Sequence, residues 1–232
     1  LGYIWALLPP LVTSLTFIFL NLISVVQTSD ESINYPIYIF TGTIFWQMFC
    51  DCVNSPVKSI IANKSMLTKI DFPREALLVE AALNTLFSLM IKLILLIFVF
   101  LIFDVGLTIF SFYALLPIVA LFGLGFCIGI SFVPLGAVYE DVQLGLPLIL
   151  GVMIFFVPVL YVPPSTGAVS LIYSLNPISI LLVSIRETLY GSEYTSITSV
   201  LIILSIIMIF LFPFLIKIYK TVLPHLIERM ES

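Results

Sequence analysis

Long apolar runs separated by short polar connections dominate this chain. A helix that crosses the hydrocarbon core needs about 20 mostly apolar residues. Six stretches satisfy that length: about Ile4 to Val26, Pro36 to Val57, Ala76 to Phe103, Ile109 to Val138, Leu144 to Val162 and Ile197 to Tyr219. The connections are polar: Thr28 to Asn34, Lys58 to Glu75, a tight turn over Asp104 to Thr108, and Tyr139 to Gln143 with Glu140 and Asp141. Pro163 to Ser196 is not a plain loop. Val169 to Leu189 is mostly apolar but is interrupted at Asn176-Pro177, where proline cannot continue a helix and biases Asn176 away from helical geometry. The pattern predicts two short helical pieces there, dipping into the membrane edge; a seventh span is the competing assignment. Irregular backbone at that depth is tolerated only against protein or water.

Composition supports the same picture. Of 232 residues, 61% are hydrophobic and 9% charged, against about 25% charged in soluble domains. Too few polar groups exist to build a water-facing exterior, so lipid must solvate most of the surface. The formal charge of −4 matters less than where the cations sit. Lys58, Lys64, Lys69 and Arg74 lie between spans two and three, and Lys217, Lys220 and Arg229 follow span six, whereas the opposite connections hold only Arg186. This bias puts both termini in the cytoplasm. The expected fold is therefore an all-α membrane protein: six transmembrane helices, both termini cytoplasmic, and short re-entrant helices in the outer loop between spans five and six. Residues 1–232 form a single transmembrane domain in the cytoplasmic (inner) membrane. The chain begins at Leu1 rather than Met and shows no signal peptide. It reads as truncated at its start.

Candidate chemistry is sparse. His225 is the only histidine and lies in the tail, which argues against a Ser-His dyad within the membrane and against most zinc sites; no metal site is read. No GxxxxGK[ST] phosphate loop is present. Cys50, Cys52 and Cys127 read as small buried thiols. Lys92 is the unusual residue, roughly 24 Å above Ala76 at 1.5 Å per residue and so in the outer half of span three. An intramembrane lysine is a functional candidate by default; snorkelling or pairing within the bundle is the structural alternative. Asp51 and Glu80 are expected near the inner ends of their helices, hydrated or facing the basic loop, which makes Asp51 a poor partner for Lys92. Gly125 and Gly129 form a GxxxG that reads as packing within the chain. Tyr3, Trp5, Tyr35, Tyr38, Tyr161 and Tyr173 suit an aromatic belt, with sugar stacking along a conduit as the alternative.

Several strings, in order over nearly the whole chain, resemble the membrane permeases of polysaccharide-exporting ABC transporters. LGYIWALLPPL (Leu1 to Leu11) is similar to the start of their first span and YPIYIFTGTIFWQMF (Tyr35 to Phe49) to their second. NKSMLTKIDFPREALLVEA (Asn63 to Ala81) is the most specific match, with a basic stretch leading into Phe-Pro-Arg-Glu. VYEDV (Val138 to Val142), FFVPVLYVPPS (Phe155 to Ser165) and NPISILLVSIRETLYG (Asn176 to Gly191) complete the series. Two departures stand out. Glu140 occupies a place where the family usually has arginine, and the family's amphipathic interfacial helix ahead of the Leu1-Gly2 start is missing.

The resemblance implies half of a homodimeric pore that exports a lipid-linked polysaccharide of the O-antigen, capsule or teichoic acid type. It implies no enzyme activity and no cofactor on this chain; ATP and Mg would bind on two separate ABC nucleotide-binding subunits. The other partners would be a second copy of the chain, the lipid-linked polysaccharide and membrane lipids, with no nucleic acid. Lys64, Lys69, Phe72, Pro73, Arg74 and Glu75 would couple to the ATPase through a short helix in the basic loop, although such a loop would also serve as a plain topology determinant. Tyr38, Phe155, Phe156 and Tyr161 would line the substrate conduit. Asn176, Pro177 and Arg186 would shape the outer re-entrant segment, with binding of outer lipid headgroups as a second role for Arg186. The alternatives are an ABC permease for a drug or small lipid, and an ion-driven secondary transporter, which would call for inverted repeats. An intramembrane enzyme is disfavoured by the missing histidines.

Overall fold

The computed structural model describes residues 2–23, 35–67, 73–106, 109–139, 141–161, 173, 175–190, 206–207 and 210–222. Among these residues every regular element is a helix. In chain order they are α1 (Gly2–Leu22), α2 (Tyr35–Ala62), α3 (Lys64–Leu67), α4 (Glu75–Ile102), α5 (Leu115–Val138), α6 (Asp141–Met153) and α7 (Pro177–Tyr190). A 3₁₀ stretch over Ile109–Ala114 runs directly into α5, another over Ile154–Phe156 follows α6, and a last helix covers 210–222.

The expected third and fourth spans match closely, and Glu75–Ile102 and Ser111–Val138 are each long and apolar enough to cross a membrane. On α4 the buried residues Leu77, Leu78, Ala81, Thr85, Leu89, Lys92, Leu96 and Phe100 recur every three or four positions. That makes one protein-facing stripe, and the other faces expose Val79, Leu83, Met90, Ile94 and Leu101. Such a surface suits lipid, not water. At its end Asp104 takes φ 54 and the Val105 amide donates to the Phe100 carbonyl at 2.9 Å. This left-handed closure satisfies a carbonyl that the helix can no longer bond.

The bundle is organised around α2, which buries nineteen of its residues and packs most extensively against α5 and α4, then α1. Close approach to α5 depends on glycine. A Cβ at Gly129 would lie 2.7 Å from the Val53 carbonyl oxygen and 2.8 Å from that of Cys52, and one at Gly125 would lie 2.7 Å from the Cys52 Cβ. The glycine spacing thus serves helix packing inside the chain, as expected. Against α1, the Ser14 and Thr43 hydroxyls are 2.8 Å apart across the interface, an interhelical tie of the kind that membrane helices use.

The fifth stretch departs from expectation. Helix ends at Met153, one 3₁₀ turn follows, and Val157 is extended at φ −123 and ψ 141, the conformation imposed on a residue preceding proline. Val157, Pro158, Val159 and Leu160 are nevertheless buried. Helix α7 starts at the expected break. Pro177 occupies its first turn, where its missing N–H costs nothing, and the Asn176 side-chain oxygen accepts from the Ile178 amide at 3.0 Å. Of the helical piece expected before this break, nearly all lies outside the described residues, as does the sixth stretch apart from 206–207 and 210–219. The α7 helix packs on the 3₁₀ stretch before α5 and on α5 itself. It therefore sits at the end of the bundle away from Lys58–Glu75.

Candidate functional site

Three polar features stand out against the apolar bundle. The first fastens the end where α7 sits. Arg186 is only 3% exposed. Its guanidinium donates to the carbonyls of Pro158 at 2.5 Å, Val159 at 2.7 Å and Tyr38 at 3.1 Å, and lies 3.6 Å from the centre of the Tyr38 ring. The Tyr38 hydroxyl donates to the Tyr161 carbonyl at 3.0 Å, and that of Tyr35 to Leu160 at 3.1 Å. Every carbonyl from Pro158 to Tyr161 is thus capped by a side chain from another helix. The irregular backbone after α6 can lie within the bundle because its polar groups are paired. Gly42, one turn after Tyr38, leaves the space, since a Cβ there would lie 1.8 Å from an Arg186 nitrogen.

These contacts relocate several expected residues. Arg186 points into the protein rather than towards lipid headgroups. Tyr35 and Tyr38 are buried rather than lying in an aromatic belt, and the cation covers one face of Tyr38. Phe155 and Phe156 present exposed rings. Tyr161 is half-buried, with its hydroxyl donating to the Phe155 carbonyl at 2.8 Å and bonded to the Tyr173 hydroxyl. Sequence reasoning passed over Gly42 and Tyr190. The Tyr190 hydroxyl bonds Thr41 Oγ1 at 3.0 Å. The available signal was helical spacing, because Tyr38 and Gly42 share one face of α2 at i, i+4.

The second feature is a polar track between α2 and α4. Lys92 donates to Asp51 at 2.5 Å and is 3% exposed, against 39% for the aspartate. The expectation that Asp51 lies too near the inner face is overturned. Helix α2 continues past Val57 to Ala62, which carries Asp51 about 16 Å from that end at 1.5 Å per residue. The two helices are antiparallel and side chains lean towards each helix's N-terminus, so Asp51 and the long Lys92 side chain lean towards each other. Glu80 is nearer the end of its helix, as expected, and receives hydrogen bonds from Ser59 and, at 2.5 Å, from Asn84. Ser55 donates to the Ala81 carbonyl at 3.0 Å. Beside these groups opens a cavity of about 370 Å³.

The pair sets an asymmetric expectation. Asp51→Asn strands a buried ammonium, whereas Lys92→Met leaves a carboxylate that water can reach. We expect Asp51→Asn to destabilise by about 2–3 kcal/mol and Lys92→Met, discounted for exposure, by about 1 kcal/mol or less. Melting of the purified variants in lipid checks the order; equal losses would contradict it.

The third feature is the basic end. Helix α3 supplies a short turn at Lys64 to Leu67, and Arg74 and Glu75 open α4. Lys69 and Phe72 lie outside the described residues. Pro73 is exposed and Arg74 half-exposed. The final helix binds here: the Tyr219 hydroxyl donates to the Arg74 carbonyl at 2.8 Å and Lys220 to Glu75 at 2.7 Å. The ion pair is exposed and stabilises by at most about 1 kcal/mol, but with Tyr219 it fixes where the last helix meets α4.

Comparison with known proteins adds to this geometry. Residues 1–190 match the family model described as ABC-2 type transporter. The chain is 26% identical over 196 residues to the O-antigen export system permease protein RfbA of Myxococcus xanthus, covering 82% of this chain and 73% of that protein. Two proteins of the same name from Klebsiella pneumoniae are each 27% identical, over 207 and 205 residues, covering 85% and 84% of this chain and 77% of each.

Proposed function

Because the chain belongs to the ABC-2 type transporter membrane family, we propose that it is the permease half of an ATP-driven exporter. Its cargo would be a lipid-linked polysaccharide of O-antigen, capsule or teichoic acid type, moved across the cytoplasmic membrane. The observation that carries this reading is the likeness, over more than four fifths of the chain, to permeases named for O-antigen export.

In this reading six spans cross the membrane with both termini in the cytoplasm, and α7 belongs to an outer re-entrant segment. Two copies form the conduit, and two ATP-binding subunits, holding ATP and Mg, drive it. The basic end is the coupling surface. Lys64 and Lys69 with Phe72, Pro73, Arg74 and Glu75 meet the ATPase, and the rigid start of α4 passes movement into the bundle. The attachment of Tyr219 and Lys220 at Arg74 and Glu75 supports this, because it makes the α4 start a junction of two helices. Phe155 and Phe156 offer open rings on which pyranose CH faces stack, with Tyr161 beside them. Tyr38 acts as a positioning residue, holding the segment after α6 through Arg186. Asn176 and Pro177 set where α7 begins, and so where Arg186 stands.

Co-purification from native membranes followed by ATPase assay in lipid is the test. A stoichiometric ATP-binding subunit should be recovered, and the double reversal Lys64→Glu and Lys69→Glu should reduce that recovery at least ten-fold while the permease remains folded. Recovery of the chain alone, without nucleotide-dependent activity, would overturn the exporter reading.

A further inference from the structure

The cavity between α2 and α4 lies in a membrane helix pair, yet its lining residues include Asn54, Asn63 and Asn84, several hydroxyl residues, Asp51, Glu80 and Lys58. It runs from Asn63 at the basic end up to Asp51, which at 1.5 Å per residue is a climb of about 18 Å, more than half of a hydrocarbon core about 30 Å thick. Its α4 wall is flanked by exposed Val79, Leu83 and Phe87. Polar groups at that depth cannot be left facing acyl chains without cost, so a hydrogen-bonding occupant fits the space. At about 370 Å³ the cavity lies within the range of small-molecule sites, about 300–1,000 Å³.

The chemistry of the walls selects the occupant. Asn54, Asn63 and Asn84 each donate through the amide nitrogen once, to the Cys50 carbonyl, the Ser59 carbonyl and the Glu80 carboxylate, which uses one of the two N–H groups of each. Ser55, Ser59 and Ser88 donate to the Ala81 carbonyl, to Leu77 and Glu80, and to Asp51. What remains is a mixture: the second amide N–H of each asparagine and the Lys58 ammonium as donors, and amide oxygens, hydroxyl lone pairs and carboxylate oxygens as acceptors. The charges nearly balance, Asp51 and Glu80 against Lys58 and Lys92, so no field favours an anion. Donors and acceptors together, without net charge, suit a neutral ligand whose groups both donate and accept, as hydroxyls do.

We propose that this cavity binds a neutral polyhydroxyl ligand, namely a sugar residue of the transported glycan entering from the basic end. That the sugar belongs to a transported glycan rests on the exporter reading above. Recognition here uses hydroxyl hydrogen bonds, in contrast to the exposed Phe155 and Phe156 rings, which offer stacking surfaces.

The test uses the full chain in lipid nanodiscs and saturation-transfer NMR with methyl α-mannoside, methyl β-galactoside and methyl α-rhamnoside. At least one should receive saturation at its ring protons. Asn84→Leu, at an exposed position that tolerates leucine in lipid, and Asn54→Ala should each reduce the transfer at least five-fold without changing the melting temperature. Inorganic phosphate at equal concentration should not compete. Competition by phosphate, or loss of transfer on Phe155→Leu and Phe156→Leu but not on the asparagine variants, overturns the assignment. So does disulfide formation between copies carrying Asn84→Cys in a background without other cysteines, since a second copy would then fill the groove. If no glycoside receives saturation while the ATP-binding subunit still co-purifies, the cavity assignment fails and the exporter reading stands. If a glycoside binds but no such subunit is recovered, the reverse holds.

Discussion

Arg186→Leu should destabilise the protein by about 3–5 kcal/mol, counting about 1–3 kcal/mol for each buried acceptor left without a donor and allowing for partial relaxation. Three carbonyls accept from the guanidinium, those of Pro158, Val159 and Tyr38; Pro158 also accepts from the Tyr38 hydroxyl at 3.4 Å and Tyr38 lies within α2, so Val159 loses most. Two belong to backbone that is neither helix nor strand, so no neighbouring amide can take over. Arg186→Lys should recover little, because an ammonium is a point donor and cannot span acceptors on two segments as a planar fork does. Thermal unfolding in nanodiscs is the measurement. If Arg186→Leu melts within about 2 °C of the parent, the guanidinium is not what holds the segment after α6. On the proposed exporter reading, transport should fail along with stability, because Phe155 and Phe156 precede that segment directly.

The next largest effect is expected at Gly129. A Cβ there meets two backbone oxygens, those of Val53 and Cys52, and neither can move without displacing the central helix. Gly129→Ala should cost about 1–3 kcal/mol as overpacking, and Gly129→Val more. At Gly145 and Gly151 nothing lies within 4 Å of an added Cβ, so alanine there should be neutral or stabilise by up to about 1 kcal/mol. The contrast controls for glycine content: comparable melting temperatures for Gly129→Ala and Gly145→Ala would show that α2 and α5 do not require the close approach. Gly125→Ala combined with Gly129→Ala should fall short of additive, since both push the same helix pair apart.

Parts of this architecture were plain in the sequence for a physical reason. The apolar runs behind α4 and α5 are long and nearly free of charge, and lipid solvation leaves that signature whatever the packing. The helix break at Asn176-Pro177 was legible because proline and an asparagine cap act locally. The central place of α2 was not legible, because a helix sheathed in other helices and one sheathed in lipid carry similar composition. Arg186 was conspicuous but its role was hidden. Its partners are mainly carbonyls, which every residue possesses, so no side chain in the sequence announces them. The Asp51–Lys92 pair was missed by counting depth along each helix from a boundary five residues short, without the lean of the side chains. Tyr38 looked like a platform because its residue type suits one, and only the neighbouring Gly42 hinted that something large lies across it.

The burial of α2 also bears on how the chain enters the membrane. Glu75–Ile102 and Ser111–Val138 have the length and hydropathy to partition into a bilayer alone; α2 carries Asp51, Asn54, Lys58 and several hydroxyls and is synthesised before either. Its acid meets its cation only once residue 92 has emerged, and its glycine-lined partner face only after residue 136. Biogenesis is therefore expected to run against synthesis order. The element made second is committed late, waiting at the insertion site until two greasier helices arrive to shelter it, and a ribosome stalled before residue 92 would leave a segment ready to slip back out.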